Sequence, residues 1–451
     1  MNLTATDTAW LTMETKDTPM HVGVLAIFCK PRSAPEDFVY RLAEQLAGRR
    51  DLVAPWNYRL ASSRRMALNQ RLIEDREVEL DYHLRRSALP EPGDERELGR
   101  MVSRLHSNAL DLTRPLWEFH LIEGLERNRF AVYLKIHHAL VGGVTAIPLM
   151  MEQLAKNSRQ RAVQPIWTQP IPAPEDPKLG VDLDAIFSLG KAGAGLLRSV
   201  LSRDEPGSFA TPAGAPRSTL NRRLNHQRRV ATQQLGSARI AALAEATVST
   251  VNEILAYLCG SALRRFFKEY NALPDKPLVG IVPVSLQERS ERIPGNAIAG
   301  IRVALGTHIG DPMARLDAVK ASIASMRVDR ESLPGGSVEP YVMLRSAPLF
   351  ASQAPGIGRF VPPLFNLAIS FTSGAEKARF YNGARLEAIY PVSPLLQYSA
   401  LSIDCVNYAG TLNIGFTGAR DTLPHLQRIA VYFGKAVADL EEIVEAGEGA
   451  A

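Results

Sequence analysis

Two adjacent histidines, His137 and His138, are the most suggestive chemical feature of the sequence. They end an alternating apolar stretch and precede Ala-Leu-Val-Gly-Gly at 139–143. Neighbouring residues of a strand point to opposite faces, so one imidazole can face an interior site while the other packs behind it. That geometry does not suit two ligands of one metal, and we predict no metal site. A neutral imidazole can act as a general base near pH 7. On the residues alone, a purely structural histidine pair is an equally good interpretation.

The sequence offers such a base no obvious protein nucleophile. No serine stands in a Gly-x-Ser-x-Gly context, which argues against a serine hydrolase of the nucleophile-elbow type. The glycine-rich phosphate-binding patterns GxxxxGK[ST] and GxGxxG are also missing from the sequence. A base without a nucleophile favours direct transfer, in which the base deprotonates an acceptor substrate and that acceptor attacks a bound donor.

The composition is that of a folded, non-secreted protein. Of 451 residues, 46% are hydrophobic and 22% charged, and the net charge of +5 is too small to require a nucleic-acid partner. Three cysteines far apart in sequence, Cys29, Cys259 and Cys405, indicate free thiols in a reducing cytoplasm. The N-terminus has no basic start followed by an apolar core, so we expect no signal peptide. The apolar runs are short or broken by proline and glycine, so any membrane contact is expected to be peripheral.

The hydrophobic pattern predicts an α+β protein with two halves of similar size. We place an N-terminal domain at 1–164, a proline-rich connector with one helix (183–201) at 165–216, and a C-terminal domain at 217–451. Alternation and helical spacing predict the following strands: 22–28, 117–122, 130–137, 229–235 and 278–284, with a buried multi-strand sheet at 388–419. The predicted helices are 35–46, 97–108, 144–155, 238–246, 250–270 capped by Ser249 or Thr250, and a final helix capped by Thr422.

The chain resembles the bacterial wax ester synthase/diacylglycerol acyltransferase family nearly end to end. Members of that family share a chloramphenicol-acetyltransferase-like fold and an HHxxxDG motif. The resemblance is carried by these motifs, in the family's order: Asp-Thr-Pro-Met-His-Val-Gly at 17–23, Arg-Pro-Leu-Trp-Glu at 114–118, the histidine segment at 137–143, Pro-Val-Ser-Leu at 283–286, Gly-Asn at 295–296, Gly-Ala-Arg-Leu at 383–386 and Tyr-Pro-Val-Ser at 390–393.

The resemblance implies two acetyltransferase-like domains packed side by side with a tunnel between them. His138 would deprotonate the hydroxyl of a fatty alcohol or diacylglycerol, which attacks a fatty acyl-CoA, and His137 would support it. Gly143 would keep the channel open, and Asn252 and Ser370 would line the site. Acyl-CoA is a substrate, so no separate cofactor is expected. The resemblance also implies a cytoplasmic enzyme, with peripheral contact to the inner membrane or lipid inclusions as an alternative location.

Three positions depart from the family pattern. Gly142 replaces the motif aspartate, which in the family is structural and pairs with an arginine, so we expect the loop around His138 to lose support. Glu253 after Asn252 replaces an aspartate, a mild change. After Ser370, the segment Phe371-Thr372-Ser373 replaces a turn with two prolines, so we expect a loosened or reshaped turn.

Two alternatives to an active lipid acyltransferase follow from these residues. The first is a catalytically weak or silent paralogue that binds acyl-CoA or lipid, suggested by Gly142. The second keeps catalysis but uses another acceptor, as in acyltransferases of peptide or polyketide synthesis. A basic run without acidic residues, 217–229, is read as a solvated surface or as a region that attracts CoA phosphates or anionic lipid.

Overall fold

A nine-residue apolar strand near the N-terminus is central to the first sheet. The computed structural model describes residues 1, 3, 5–62, 70–161, 163–171, 215–283, 300–331, 352–353 and 358–448. The predicted helix at 183–201, the motif at 295–296 and most of the motif at 283–286 lie outside these residues. Within them, no helix is long and apolar enough to span a bilayer.

The first six-stranded sheet contains, in spatial order, β11 (Phe380–Tyr381), β12 (Ala384–Val392), β1 (His21–Cys29), β6 (Arg129–His137), β5 (Trp117–Leu125) and β4 (Leu84–Ala88). The predicted strand at 22–28 and the predicted hairpin are confirmed as β1, β5 and β6. Asn128, at the tip of the hairpin, adopts a positive φ of 56°, a conformation that asparagine tolerates better than most residues.

The second six-stranded sheet contains, in spatial order, β7 (Arg228–Gly236), β14 (Thr411–Ala419), β13 (Leu401–Tyr408), β10 (Leu367–Ser373), β8 (Val279–Pro283) and β9 (Gly300–Ala304). It confirms the predicted strands near 229–235 and 278–284. The charge-poor region 388–419 forms strands as predicted, but these are divided between the two sheets, since β12 lies in the first. A separate two-stranded sheet pairs β2 (Tyr58–Leu60) with β3 (Leu72–Glu74).

The first sheet takes strands from both halves of the chain. Strand β12 belongs to the C-terminal half in sequence, yet it pairs antiparallel with β1 in the first sheet, Gly23 opposite Val392. The next strand, β13, lies in the second sheet, whose strands all come from the C-terminal half. The predicted division of the chain at 164 and 217 therefore does not coincide with the division into sheets, and it stays a prediction.

Helices cover both faces of the first sheet and pack against the second. The helices of the described residues are α1 (Ala5–Met13), α2 (Phe38–Ala47), α3 (Leu80–His83), α4 (Glu95–Ser107), α5 (Gly143–Glu152), α6 (Ser237–Ala246), α7 (Val251–Glu269), α8 (Pro312–Glu331) and α9 (Leu426–Glu448). On the first sheet, α2 and α5 contribute to the apolar cluster on one face, and α4 to the cluster on the other.

The helix ends test two capping predictions. Thr250 caps α7 as predicted, and the Glu253 carboxylate accepts the Thr250 backbone N–H at 2.7 Å, which completes a capping box. The glutamate in this family-variant position therefore has a local structural role. The predicted cap at Thr422 is wrong, because turns at 419–425 intervene and α9 begins only at Leu426.

Helix α4 joins the two halves through serine hydroxyls. Ser103 and Ser107 are one helical turn apart and lie on the same face of α4. Their Oγ atoms accept the backbone N–H groups of Val230 at 2.9 Å and Arg228 at 2.8 Å. Those N–H groups lie on the edge strand β7, so α4 covers an edge that would otherwise expose unpaired donors.

Candidate active site

The two histidines stand where β6 leaves the first sheet. His137 is the last residue of β6 and lies opposite His21 of β1. The next backbone N–H, that of His138, donates to the carbonyl of Met20 at 2.8 Å. The Met-His pair of the motif at 17–23 therefore anchors the histidine motif by strand pairing, although more than a hundred residues separate the two in sequence.

His137 is a buried, positioned residue. Its side chain is 1% exposed, and its Nε2 lies 2.6 Å from the Oε2 of Glu14, which is equally buried. The backbone N–H of Ala139 donates to His137 Nδ1 at 3.1 Å. Because Nδ1 accepts this bond, the ring proton is on Nε2, which donates to the Glu14 carboxylate. This arrangement holds the ring and the turn after it, and the supporting role of His137 stays a prediction.

His138 stacks on an aromatic ring that the sequence analysis did not single out. The indole of Trp10 lies with its centroid 3.7 Å from that of the imidazole, at an interplanar angle of 21°. Burial lowers the pKa of His138 to about 3, and the neighbouring His137 adds to the effect. The imidazole is therefore neutral at physiological pH, as a general base must be.

One helix supplies both partners of the histidine pair. Trp10 lies in α1, Glu14 follows its last residue, and the Glu14 N–H donates to the Trp10 carbonyl at 3.2 Å. Residues four apart share one face of a helix, so the indole and the carboxylate reach neighbouring histidines together. The spacing Trp-x-x-x-Glu was the available signal for these residues, but it acquires meaning only once α1 is docked on the motif.

The loop after His138 is held by backbone hydrogen bonds. The N–H of Leu140 donates to the His137 carbonyl at 2.9 Å, and the Gly142 carbonyl accepts from Thr145 and Ala146 in the first turn of α5. Gly142 is the N-cap of α5, with φ −67° and ψ 154°, and provides no side-chain cap. The main-chain hydrogen bonds of the loop are present, and Gly142 adds no side-chain contact, so the expected loss of loop support stays a prediction.

A buried polar chain connects this strand end with the second half of the protein. His21 Nε2 donates to the His106 carbonyl at 2.9 Å, and His106 Nε2 donates to the Ser393 carbonyl at 3.0 Å. Burial lowers the pKa of His106 to about 3, so its Nδ1 is free to accept the Tyr133 hydroxyl at 2.8 Å. Tyr133 also needs Gly23 opposite it, since a Cβ there would lie 2.7 Å from the phenol ring.

Ser370 belongs to a buried carboxyl cluster in the second sheet. Its hydroxyl donates to Asp404 at 2.6 Å, and Ser402 donates to the same carboxyl group at 2.8 Å. Burial raises the pKa of Asp404 to about 6, and the serine hydroxyls oppose that rise. The family-variant segment 371–373 continues β10 in parallel pairing with β13, so a regular strand replaces the expected turn.

The other residues that the sequence predicted for the site are not shown to contact His138. Asn252 is exposed in the first turn of α7, and its role in lining the site stays a prediction. Gly143 begins α5, directly after the motif loop. In the basic run, Arg223 is exposed, whereas Arg228 is buried and donates to the carbonyls of Asp17 and Gln227. The interpretation of that run as a wholly solvated surface is therefore wrong for Arg228.

Apolar side chains surround the site and continue into the second half. Trp10 and Ala139 belong to a cluster that Leu396 of the C-terminal half joins. Leu396 also packs on a second cluster containing Val279 and Phe365. Packed apolar side chains therefore connect the histidine loop with the second sheet.

Comparisons with known proteins match one family over nearly the whole length of the chain. Residues 3–255 match the wax ester synthase/diacylglycerol acyltransferase catalytic domain, and residues 294–441 match the C-terminal domain of the same family. A Mycobacterium tuberculosis H37Rv protein, provisionally named a diacylglycerol O-acyltransferase, is 37% identical over 99% of this chain and 97% of its own length. A second protein of that strain, with a similar name, is 36% identical over 97% of this chain and 98% of its own length.

Solved structures support the same fold. The wax ester synthase/diacylglycerol acyltransferase from Marinobacter aquaeolei VT8 superposes with a TM-score of 0.81 at 32% identity, covering 99% of this chain and 100% of that one. The first condensation domain of the CDA synthetase superposes with a TM-score of 0.56 at 16% identity, over 98% of this chain and 95% of that one. The second likeness concerns the fold alone.

Proposed function

We propose, since the chain belongs to the wax ester synthase/diacylglycerol acyltransferase family, that it transfers a fatty acyl group from acyl-CoA to a long-chain alcohol or to diacylglycerol. The observation that carries this proposal is His138: a neutral imidazole at a strand end, inside the segment that matches the catalytic domain, with apolar residues beside it. No cofactor other than the acyl-CoA substrate is required for this reaction.

The proposed reaction has two proton transfers and no covalent enzyme intermediate. His138 accepts the proton of the acceptor hydroxyl while the oxygen attacks the thioester carbonyl carbon, which gives a tetrahedral intermediate. The C–S bond then breaks, and the imidazolium returns the proton to the CoA sulfur. The products are an ester and free CoA, and His138 is neutral again.

His137 and Glu14 position the base in this scheme. Their buried hydrogen bond of 2.6 Å and the bond from the Ala139 N–H fix the turn that carries His138. Charge-assisted hydrogen bonds of this kind are stronger than neutral ones. The support is therefore geometric: neither residue needs to exchange a proton with the substrate.

The packed apolar side chains from Trp10 through Leu396 to Phe365 would border a route for the acyl chain between the halves. The Marinobacter protein is named both a wax ester synthase and a diacylglycerol acyltransferase, and the mycobacterial relatives are named diacylglycerol O-acyltransferases, so we propose both acceptor classes. Such lipids would reach the protein from a membrane or lipid-droplet surface by peripheral contact.

The second candidate function is acyl-CoA or lipid binding without transfer. Gly142 favours it, because this position carries no side-chain cap for α5. The intact main-chain bonds of the loop favour the active enzyme instead. A large gain of activity in Gly142→Asp from a barely active wild type would support the binding protein.

The experiment is an ester-synthesis assay with radiolabelled palmitoyl-CoA and either hexadecanol or dioleoylglycerol. We expect His138→Ala to lower the rate by about 10²–10⁴-fold, the usual contribution of a general base. His425→Ala, which changes an exposed histidine of the same chain, is the matched control and should retain full activity. Equal rates for wild type and His138→Ala would remove His138 from the role of base.

A further inference from the structure

One of the four tryptophans of the chain differs from the other three in the hydrogen bonding of its indole N–H. The indole N–H groups of Trp56, Trp117 and Trp167 each donate to a backbone carbonyl, at 2.8, 2.9 and 2.8 Å. The N–H of Trp10 is buried as well, since the residue is only 6% exposed, but within the described part of the chain it has no acceptor.

An unpaired buried N–H is costly. Leaving a buried donor unsatisfied costs about 1–3 kcal/mol, and nearly all such groups in native proteins find partners. Replacing the indole by an all-carbon ring would remove the cost without changing the apolar packing of Trp10 in its cluster. A donor retained at such a position suggests an acceptor that arrives with a ligand.

The position of Trp10 indicates which ligand could supply the acceptor. Its ring stacks on that of His138, with 3.7 Å between centroids, so the atoms of the indole, Nε1 included, lie close to the imidazole. The Glu14–His137 bond ties the end of the same helix to the motif, which keeps the indole in this place. Whatever reacts at His138 therefore comes within the neighbourhood of the Trp10 N–H.

One substrate atom in the proposed reaction gains negative charge and needs a donor. When the acceptor hydroxyl attacks the thioester, the carbonyl oxygen becomes the oxyanion of the tetrahedral intermediate. A preorganised N–H in a site with little water stabilises such an oxygen more than it stabilises the neutral carbonyl.

We propose that Trp10 is a catalytic residue whose indole N–H donates a hydrogen bond to the acyl carbonyl oxygen beside His138 and stabilises the oxyanion. The inference rests on the proposed acyl transfer. Trp10 exchanges no proton: it binds the oxygen while charge develops there and releases it when the C–S bond breaks. The face of the same indole also accommodates the transient imidazolium through a cation–π contact.

The first test is Trp10→Phe, which keeps an aromatic ring against His138 but removes the N–H together with one of the two fused rings. We expect kcat to fall about 10²-fold with little change in KM, as for the loss of one oxyanion donor. Thermal stability should fall only by the packing of the lost ring, because no hydrogen bond within the protein is lost. A fall in kcat of less than tenfold would overturn the proposal.

The matched control is Trp167→Phe, which removes an N–H that is bonded to the Arg49 carbonyl. That variant should lose thermal stability but keep kcat within twofold of the wild type in its folded fraction. An equal loss of kcat in both variants would show that any tryptophan N–H matters only for folding, and would overturn the assignment.

The second test observes ligand binding to the wild-type protein, and a variant serves only to assign one signal. With ¹⁵N-labelled tryptophan, the four indole N–H groups give four NMR signals, and Trp10→Phe identifies that of Trp10. A ketone analogue of palmitoyl-CoA that cannot transfer its chain should move the Trp10 proton downfield and leave the other three in place. An unmoved Trp10 signal at saturation contradicts the proposal, whereas absence of ester synthesis by the wild type would instead reject the proposed function.

Discussion

The pH dependence of acyl transfer tests the environment of His138 most directly. Burial lowers the pKa of this imidazole to about 3, from an ordinary value of 6.5. At pH 5 an ordinary histidine is about 97% protonated and inactive as a base, whereas a histidine with a pKa near 3 is about 99% neutral. We therefore expect kcat/KM to remain level from pH 7 down to about pH 5.

The same shift sets the cost of using this base. Lowering a pKa from 6.5 to about 3 corresponds to about 5 kcal/mol against forming the imidazolium in the free protein. Bound substrate must offset that cost. The negative charge that develops on the substrate stabilises the imidazolium beside it, as water would in an exposed histidine. The direction of the effect on folding follows as well. Protonation of the unfolded chain below pH 6.5 lowers the free energy of unfolding until the pH reaches about 3.

The assay is initial-rate ester synthesis between pH 4.5 and 9, with quenched samples counted for labelled ester. Enzyme held at each pH and returned to pH 7.5 before assay controls for unfolding. A reversible acid limb with a midpoint between pH 6 and 7 in the wild type would refute the reasoning. It would mean that His138 is hydrated in the free protein and that burial does not keep it neutral.

Substitutions at three positions test the supporting structure. Glu14→Ala should lower the free energy of unfolding by about 2–3 kcal/mol in urea titrations, because it removes the charged acceptor of His137; Glu14→Gln, which keeps an acceptor, should recover most of the loss. In the wild type, the free energy of unfolding should fall by about 3 kcal/mol as the pH rises from 4 to 8, since the folded pKa of Asp404, about 6, lies above the unfolded value of 3.8. Asp404→Asn should abolish this fall. Equal pH dependence of the unfolding free energy in both proteins would contradict the prediction. Gly142→Asp should add about 0.5–1 kcal/mol by capping α5 and change the ester-synthesis rate less than threefold, and a larger gain would show a decayed loop.

Periodicity was sufficient for most of the elements. The strand at 22–28, the hairpin that ends at His137 and the cap at Thr250 can be read from alternation, turn residues and capping chemistry, because each depends on neighbours in sequence. The predicted cap at Thr422 is wrong because a threonine before an apolar run begins a helix only if the residues between them do not form turns of their own.

The sheet to which strand β12 belongs could not be predicted from its sequence. Its apolar pattern fits either sheet, and only pairing with β1 across about 360 residues decides the choice. The same holds for Ser370, whose hydroxyl binds a carboxylate on a neighbouring strand. Contacts between residues distant in sequence leave no local periodic signal.

The sequence by itself determined the family, the α+β class and the histidine on which the proposed chemistry depends, because these rest on residue types in local order. Only the tertiary structure decided what surrounds His138. Docking of α1 brings Trp10 onto the imidazole and Glu14 onto its neighbour, and the resulting burial keeps the base neutral. The physical reason is that desolvation, stacking and hydrogen-bond partnership depend on distance in space, and the residues involved lie more than a hundred positions apart in the chain.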